Sequence, residues 1–245
     1  MSDFKVLTLN IHKGFSAGKR RFTLEKIRQN LRASNCNIIF LQEVIGENER
    51  HRDAIRGWPE QNQFEFLADS VWDHFAYGKN AIYQHGHHGN AILSELPFAS
   101  WNNINISMMS FSSRGILHGQ LENGVHVLCA HLGLFERERM KQTDKLMAYI
   151  ESKIPGDAPL ILAGDFNDWR RSVHKRLSSA LGLFEAYEQQ HRELPKTYTA
   201  MLPCLAMDRI YYRGFRMITA DIKTDSAWNR VSDHRAVAAE LQLLE

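Results

Sequence analysis

"LAGDFND", residues 162–168, decides how this chain is read. An apolar run ends at Gly164, and Asp165, Asn167 and Asp168 follow at once. Asp and Asn are common at strand ends, because their side chains bond the backbone of turns. A lone Gly-Asp-x-Asn match is therefore as consistent with a plain loop as with a site. The case for chemistry rests on other apolar runs ending the same way.

They do. "KVLTLNIH" (5–12) finishes with Asn10 and His12, and "NIIFLQEV" (37–44) with Gln42 and Glu43. "VHVLCAHL" (125–132) reaches His131, Asp208 opens "DRIYYRG" (208–214), and Asp233-His234 opens the last run, "HRAVAAELQL" (234–243). "NAILSE" (90–95), "RGILHGQLE" (114–122) and "APLILAGDF" (158–166) complete a set of strand-like runs, several of them alternating or rich in β-branched and aromatic residues. Asn123-Gly124 between two runs predicts an antiparallel hairpin closed by a type I′ turn, in which both positions take positive φ.

Helical spacing appears in three places. Leu24, Ile27 and Leu31 mark residues 24–33, and Met140, Thr143, Met147, Ile150 and Ile154 mark 136–154. Residues 172–181 read as a third helix, stopped by Gly182. Strands alternate with helices in places and pair directly in others, which implies an α/β class with a mixed sheet. With no repeat, low-complexity tract or Pro/Gly-rich linker, one domain over 1–245 is the simplest organisation.

Composition excludes several classes. The chain has 245 residues, 44% hydrophobic and 24% charged, which is ordinary for a globular domain. A formal net charge of +2 leans towards anionic partners without the bias of a dedicated nucleic-acid binder. Three scattered cysteines argue against a disulfide framework and fit a reducing, cytoplasmic setting. No secretory leader or membrane-spanning run is evident, and a monomer is expected.

Carboxylate and carboxamide oxygens are the hard ligands that Mg²⁺ prefers, commonly alongside substrate phosphate oxygens. Imidazole beside carboxylate is the usual arrangement for acid–base work near neutral pH. The Cys and His residues lack structural-zinc spacing. A Walker loop and a dinucleotide fingerprint are both missing from the sequence. The residues alone thus indicate an α/β domain with a hard-metal site and one or two histidines. That set suits metal-assisted hydrolysis of a phosphoester.

"LTLNIH", "FLQEV", "GNAILS", "CAHLG", "LAGDFND", "DRIYY" and "SDHRAV" occur in this order across nearly the whole chain. Their shared order and spacing resemble the endonuclease/exonuclease/phosphatase superfamily, which includes exonuclease III, pancreatic-type DNases, neutral sphingomyelinases and inositol-polyphosphate 5-phosphatases. The resemblance implies a four-layer α/β/β/α sandwich, two mixed, mainly antiparallel sheets packed face to face with helices outside. It implies Mg²⁺ as cofactor, with Mn²⁺ able to substitute, held by Glu43 with Asn10 and with Asp233 close by. Asp165 and Asn167 would hold the attacking water and the phosphate. His234 would be the catalytic imidazole, Asp208 its orienting carboxylate, and His131 a support for a phosphoryl or leaving oxygen. Arg114 matches a family arginine that supports the phosphate or buried acids, or else forms a structural salt bridge. His234 and Asp208 are both expected near solvent at strand ends.

The substrate expected first is nucleic acid, cut by in-line attack of water on a phosphodiester. Phospholipid head groups or inositol phosphates are the alternative. A silent phosphate-binding domain is the alternative of another class, and the full set of catalytic positions weighs against it. His131 departs from abasic-site endonucleases, which carry tyrosine there, and agrees better with DNase-like and sphingomyelinase-like branches.

Arg170 and Arg171 could grip flanking phosphates, as could Lys19-Arg20-Arg21 and Lys175-Arg176, although charge runs are more often solvated faces. Trp169 and Trp228 are the candidates for base stacking, with Phe15, Trp58, Trp72 and Trp101 assigned to the core. His85, His87 and His88 are expected in a solvated, mobile loop beside the site, because Gly86 and Gly89 flank them. Asp168 is expected to be a turn residue.

Overall fold

Alternation along the strands builds the layers. In β1 (Asp3–Asn10), Phe4 and Val6 point into one apolar cluster and Leu7 and Leu9 into another. The computed structural model describes residues 3–109 and 112–244; the first two residues and the last of the expected 1–245 domain lie outside that range. One six-stranded sheet runs β11 (Phe215–Ile222), β12 (Val237–Leu243), β1, β2 (Ile38–Asn48), β4 (Gly86–Ser94), β3 (His74–Tyr83). The other runs β5 (Phe98–Asn105), β6 (Gly115–Leu121), β7 (His126–His131), β8 (Leu160–Asp165), β10 (Asp208–Arg213), β9 (Phe184–Glu185). Among the described residues, only β1–β2 and β7–β8 are parallel; the remaining pairs are antiparallel.

Three apolar clusters separate four layers. The middle one joins the sheets through Val6, Phe40, Ile92, Val127, Ile161 and Ile210. α1 (Leu24–Ala33) and α3 (Gln63–Ala68) cover the outside of the first sheet with Leu24, Ile27, Leu31 and Leu67. α4 (Glu136–Lys153) and α5 (Ser172–Leu181) cover the second with Leu146, Ile150, Val173 and Leu177. Each such side chain removed from water contributes about 1.5–3 kcal/mol. α2 (Glu49–Ala54) and α6 (Ala186–His191) are single-turn connectors. Among the described residues, no helix is long and apolar enough to cross a membrane.

Several expectations need correction. The 123–124 hairpin forms, but only Gly124 has positive φ, so the turn is not type I′. Gly124 N–H bonds Leu121 O and Leu121 N–H bonds Val125 O, the pattern of a type I turn followed by a left-handed glycine. The buried face of α4 is Glu138, Arg139, Gln142, Thr143, Leu146 and Ile150, so Met140 and Met147 lie off its centre. Polar side chains occupy the first turns because they tie down the turn after β7: Gln142 Oε1 accepts the Gly133 N–H at 2.7 Å and its Nε2 donates to Glu138 at 3.0 Å, while Arg139 Nη1 donates to Gly133 O at 3.1 Å. The tract around His87 and His88 is strand, not mobile loop. A Cβ on Gly89 would meet Gly78 O at 1.8 Å, so this glycine permits close pairing of β3 and β4.

Candidate active site

The site lies where the inward rows of both sheets run out. In β7, β8 and β10 the residues continuing the inter-sheet core are His131, Asp165 and Asp208. They stand side by side, because His131 is in register with Asp165 and Asp165 with Asp208. Gly164 makes the first pairing possible: its φ is +149°, and a Cβ there would meet Ala130 O at 1.9 Å. From the facing sheet, alternation along β1 puts Thr8 and Asn10 on the same cleft.

Glu43 breaks the alternation and gains its position by doing so. Ile39 and Leu41 face outwards, so a regular strand would send Glu43 outwards as well. The β2–β4 register shifts between Leu41 and Val44, and Glu43 adopts φ +57°. The carboxylate then lies 3.5 Å from Asn10 Nδ2 and 3.7 Å from Lys13 Nζ. Asn167 likewise has φ +50°, with its backbone N–H on Asp165 Oδ1 at 2.9 Å and its Nδ2 on Leu132 O at 2.9 Å. Left-handed backbone in ordinary residues costs roughly 1–3 kcal/mol and clusters where function fixes the chain.

Three groups converge on Asp165 Oδ2: Asn10 Nδ2 at 3.1 Å, His131 Nε2 at 3.5 Å and His234 Nε2 at 3.9 Å. The two imidazoles are tuned in opposite directions. Burial holds His131 well below its ordinary pKa, and the nearby charges of Arg114, His234, His88 and Lys13 push the same way, so it is neutral. Burial opposes protonation of His234 too, but Asp208, bonded to Nδ1 at 2.8 Å, with Asp165 and Asp233 nearby, raises it to about 10. Burial and the neighbouring Asp208 raise Asp165 to about 6 against the lowering effects of His234, Asn10 and Asn167. Burial raises Glu43, but Lys13, His12, His88 and Asn10 outweigh it and hold this carboxyl below its usual range.

Asp233 stands at the rim, its Oδ1 3.5 Å from His12 Nδ1 and 3.4 Å from Ser232 Oγ. Arg114 donates Nε to Leu132 O and Nη1 to Ser113 O, and its charge acts on His131 and His88. Arg170 is ion-paired with Glu136, while Arg171 is exposed at the start of α5. Asp165, Asp208 and His234 each bring a ligand atom within 4.8 Å of the others, so a metal ion could be held there. Next to them Glu43 and Asp233 offer hard carboxylate oxygens, with Glu43 already favoured in its charged form, and the Asn10 carboxamide lies beside Glu43. This donor set fits a hard divalent cation.

The profile of the Endonuclease/Exonuclease/phosphatase family matches residues 7–234. The chain belongs to the endonuclease/exonuclease/phosphatase family. It is 39% identical over 245 residues to Uncharacterized protein YbhP of Escherichia coli strain K12, covering 98% of this chain and 96% of that protein. The fold is similar to an endonuclease/exonuclease/phosphatase from Beutenbergia cavernae, with TM-score 0.80 and 18% identity over 99% of this chain and 72% of that one. It is also similar to the human Nocturnin catalytic domain with bound sulfate anion, with TM-score 0.73 and 20% identity over 99% of this chain and 95% of that one. Members of this family are generally phosphoester hydrolases, and their fold generally uses a divalent metal.

Against that family pattern, several residues stand where sequence reading did not put them. His234 is 7% exposed and Asp208 fully buried, so the pair is not near solvent. Thr197, Ser232, Lys13 and His88 were not assigned to the site. Thr197 Oγ1 donates to Asp208 Oδ2 at 2.6 Å, and Ser232 Oγ donates to Asn10 O at 2.6 Å. Ser232 was visible within "SDHRAV"; Thr197 arrives from a loop with no motif. His88 follows the inward alternation of Asn90 and Ile92, and burial, with Lys13 and Arg114 adding to it, lowers its pKa to about 4 despite Glu43. Gln42, by contrast, ties the sheets together through Thr8 Oγ1 and Cys129 Sγ, both at 3.2 Å.

Asp168 is a hub rather than a simple turn residue. It is fully buried, pairs with Arg209 Nη1 at 3.0 Å and accepts the backbone N–H groups of Ser172 and His174. Trp228 is a core residue, which removes it as a stacking surface, whereas Trp101, expected in the core, is exposed on β5. Trp169 is exposed and lies over the Arg139 guanidinium.

Proposed function

We propose that this protein is a divalent-metal-dependent phosphodiesterase, with Mg²⁺ as the natural ion and Mn²⁺ as a substitute. The observation that carries the reading is the convergence of Asn10, His131 and His234 on Asp165 Oδ2, with the two imidazoles in opposite charge states. Pairs of titratable groups pushed apart by their surroundings mark acid and base assignments.

Asp165, raised to about 6, is ionised at neutral pH and basic enough to take a proton from water. His234 is a cation at neutral pH, so it is a charged donor and not the base. Its Nε2–H faces the negative charge that builds on the phosphoryl oxygens, while Asp208 and Thr197 fix the ring through Nδ1. His131, neutral, offers a hydrogen bond to the leaving oxygen. Asn167 positions the phosphate from its fixed left-handed backbone. Glu43, with Asn10 and Asp233, would hold the divalent cation, which supplies charge neutralisation at the phosphoryl group.

For nucleic acid, expected first from the sequence, Arg170 and Arg171 are candidates to contact flanking phosphates, and Arg170 is paired with Glu136. The reaction class is tested with soluble bis(p-nitrophenyl) phosphate and Mg²⁺ or Mn²⁺. Turnover that stops in EDTA and returns with the metal supports the reading. Full activity after exhaustive chelation, or no diester hydrolysis with either metal, rules it out.

A further inference from the structure

The mouth of the site is edged by exposed apolar side chains on two sides. Leu134 and Phe135, between β7 and α4, are 56% and 59% exposed, and Trp169, just past β8, is 40% exposed. Arg139 joins them: Nη1 donates to the carbonyls of Gly133 and Leu134 at 3.1 and 2.8 Å, and the guanidinium carbon lies 4.8 Å from the Trp169 ring centre. Leu132, two residues before Leu134, accepts from Asn167 Nδ2 and Arg114 Nε, so this patch adjoins the site. Across the mouth, Met201 and Leu202 are 71% and 79% exposed. Their loop is anchored by Ala200 N–H on Asp233 O at 2.8 Å and by the Tyr198 ring, 4.9 Å from that of His234.

Single exposed apolar residues are normal, but here they gather in loops on both flanks of one site. Cations border them. Arg137, Lys141 and Arg171 are exposed beside the Leu134–Trp169 patch, and Glu136 there is already paired with Arg170. A single nucleic-acid strand would stack on Phe135 and Trp169 but leave the aliphatic Leu134, Met201 and Leu202 in water. A lipid surface accommodates both kinds: apolar side chains enter the boundary between headgroups and acyl chains, and the cations meet anionic headgroups.

We propose that this rim docks on a phospholipid surface carrying anionic headgroups, so that the site meets its phosphodiester at a membrane. The purpose of the docking rests on the phosphodiesterase reading; the docking itself does not. The test is co-sedimentation of the full chain, in EDTA, with phosphatidylcholine vesicles with and without phosphatidylglycerol. Two variants accompany it, Leu134→Ser/Phe135→Ser and Met201→Ser/Leu202→Ser, whose exposed positions leave folding intact, as thermal melting checks.

The wild type should bind the phosphatidylglycerol vesicles more tightly. Each variant should lose about tenfold or more in vesicle affinity and still hydrolyse soluble bis(p-nitrophenyl) phosphate at the wild-type rate. Vesicle binding that is absent, or equal in the variants, overturns the proposal. So does loss of single-stranded oligonucleotide binding, and not of vesicle binding, in the variants, which would assign the rim to nucleic acid. Diester hydrolysis without vesicle binding refutes the docking alone, and vesicle binding without diester hydrolysis refutes the enzymatic reading alone.

Discussion

His234 Nδ1 lies 2.8 Å from Asp208 Oδ2, and the same carboxylate oxygen accepts the Thr197 hydroxyl at 2.6 Å. One oxygen therefore sets both the ring orientation and the charge of the imidazole. His234→Ala and Asp208→Asn should each lower kcat by about 10² or more, as loss of a positioned acid–base group does. The double variant should be scarcely worse than the poorer single, because the two act as a unit. A double-mutant cycle on kcat checks this; losses that multiply would separate the residues.

The same pair contributes to stability, with a defined pH dependence. The folded pKa of His234, about 10, is above the ordinary 6.5. Its contribution is therefore fully present below the ordinary value and is lost as pH rises through the folded one. The melting-temperature gap between wild type and His234→Gln should be widest in mild acid and should close towards about pH 10. Thermal melts across that range give the answer, and a gap that widens with pH would reverse the assignment.

Asp165 has the same direction of pH dependence as His234, but here the charged form is the unfavourable one. Its folded pKa, about 6, is above the ordinary 3.8, so the buried carboxylate costs stability once ionised. Asp165→Asn should abolish turnover and yet stabilise the metal-free protein by roughly 1–3 kcal/mol at about pH 8, with the gain fading in acid where both forms are neutral. Denaturant melts in EDTA test this; a destabilised variant at alkaline pH would show that the charge is compensated.

The inner strands and long helices were legible in the sequence because each buries a face. β1, β2, β7, β8 and β10 carry apolar runs bounded by a polar residue, and α5 stops at the left-handed Gly182. The strands that went unread, β3, β5, β9 and β11, are the four sheet edges. Edge strands bury less and so lose the pattern; β5, with "FASWNNIN", is exposed or half-buried throughout. α2, α3 and α6 span six residues each, too short for helical periodicity to show. Within the site, residues attached to strand-end motifs were legible. Thr197 was not, because it enters from a loop, and His88 was masked by glycines that serve strand pairing rather than a turn.

Gly164 tests that register directly. Gly164→Ala puts a Cβ 1.9 Å from Ala130 O at φ +149°, so β7 and β8 must move apart. A loss of about 2–4 kcal/mol is expected, since overpacking and backbone strain act together. Equilibrium unfolding measures it, and a neutral substitution would show that the strand pair has slack.

Glu43→Gln keeps the shape and removes the charge that Lys13 and Asn10 stabilise. Mg²⁺ affinity should fall by at least about tenfold, because a hard cation loses its charged ligand. Titration calorimetry reads it directly, and unchanged affinity would move the ion to the Asp165–Asp208–His234 cluster.

The division of labour between the imidazoles is tested most directly by a nitrogen-15 NMR titration of the histidine rings in the metal-free protein, assigned with His131→Gln and His234→Gln. The account requires the His234 ring to stay doubly protonated through neutral pH, releasing its proton near 10, while His131 is already neutral below 6.5. A His234 ring that deprotonates near 6.5, or a His131 ring still charged at neutral pH, would contradict the assignment of Asp165 as base and His234 as charged donor.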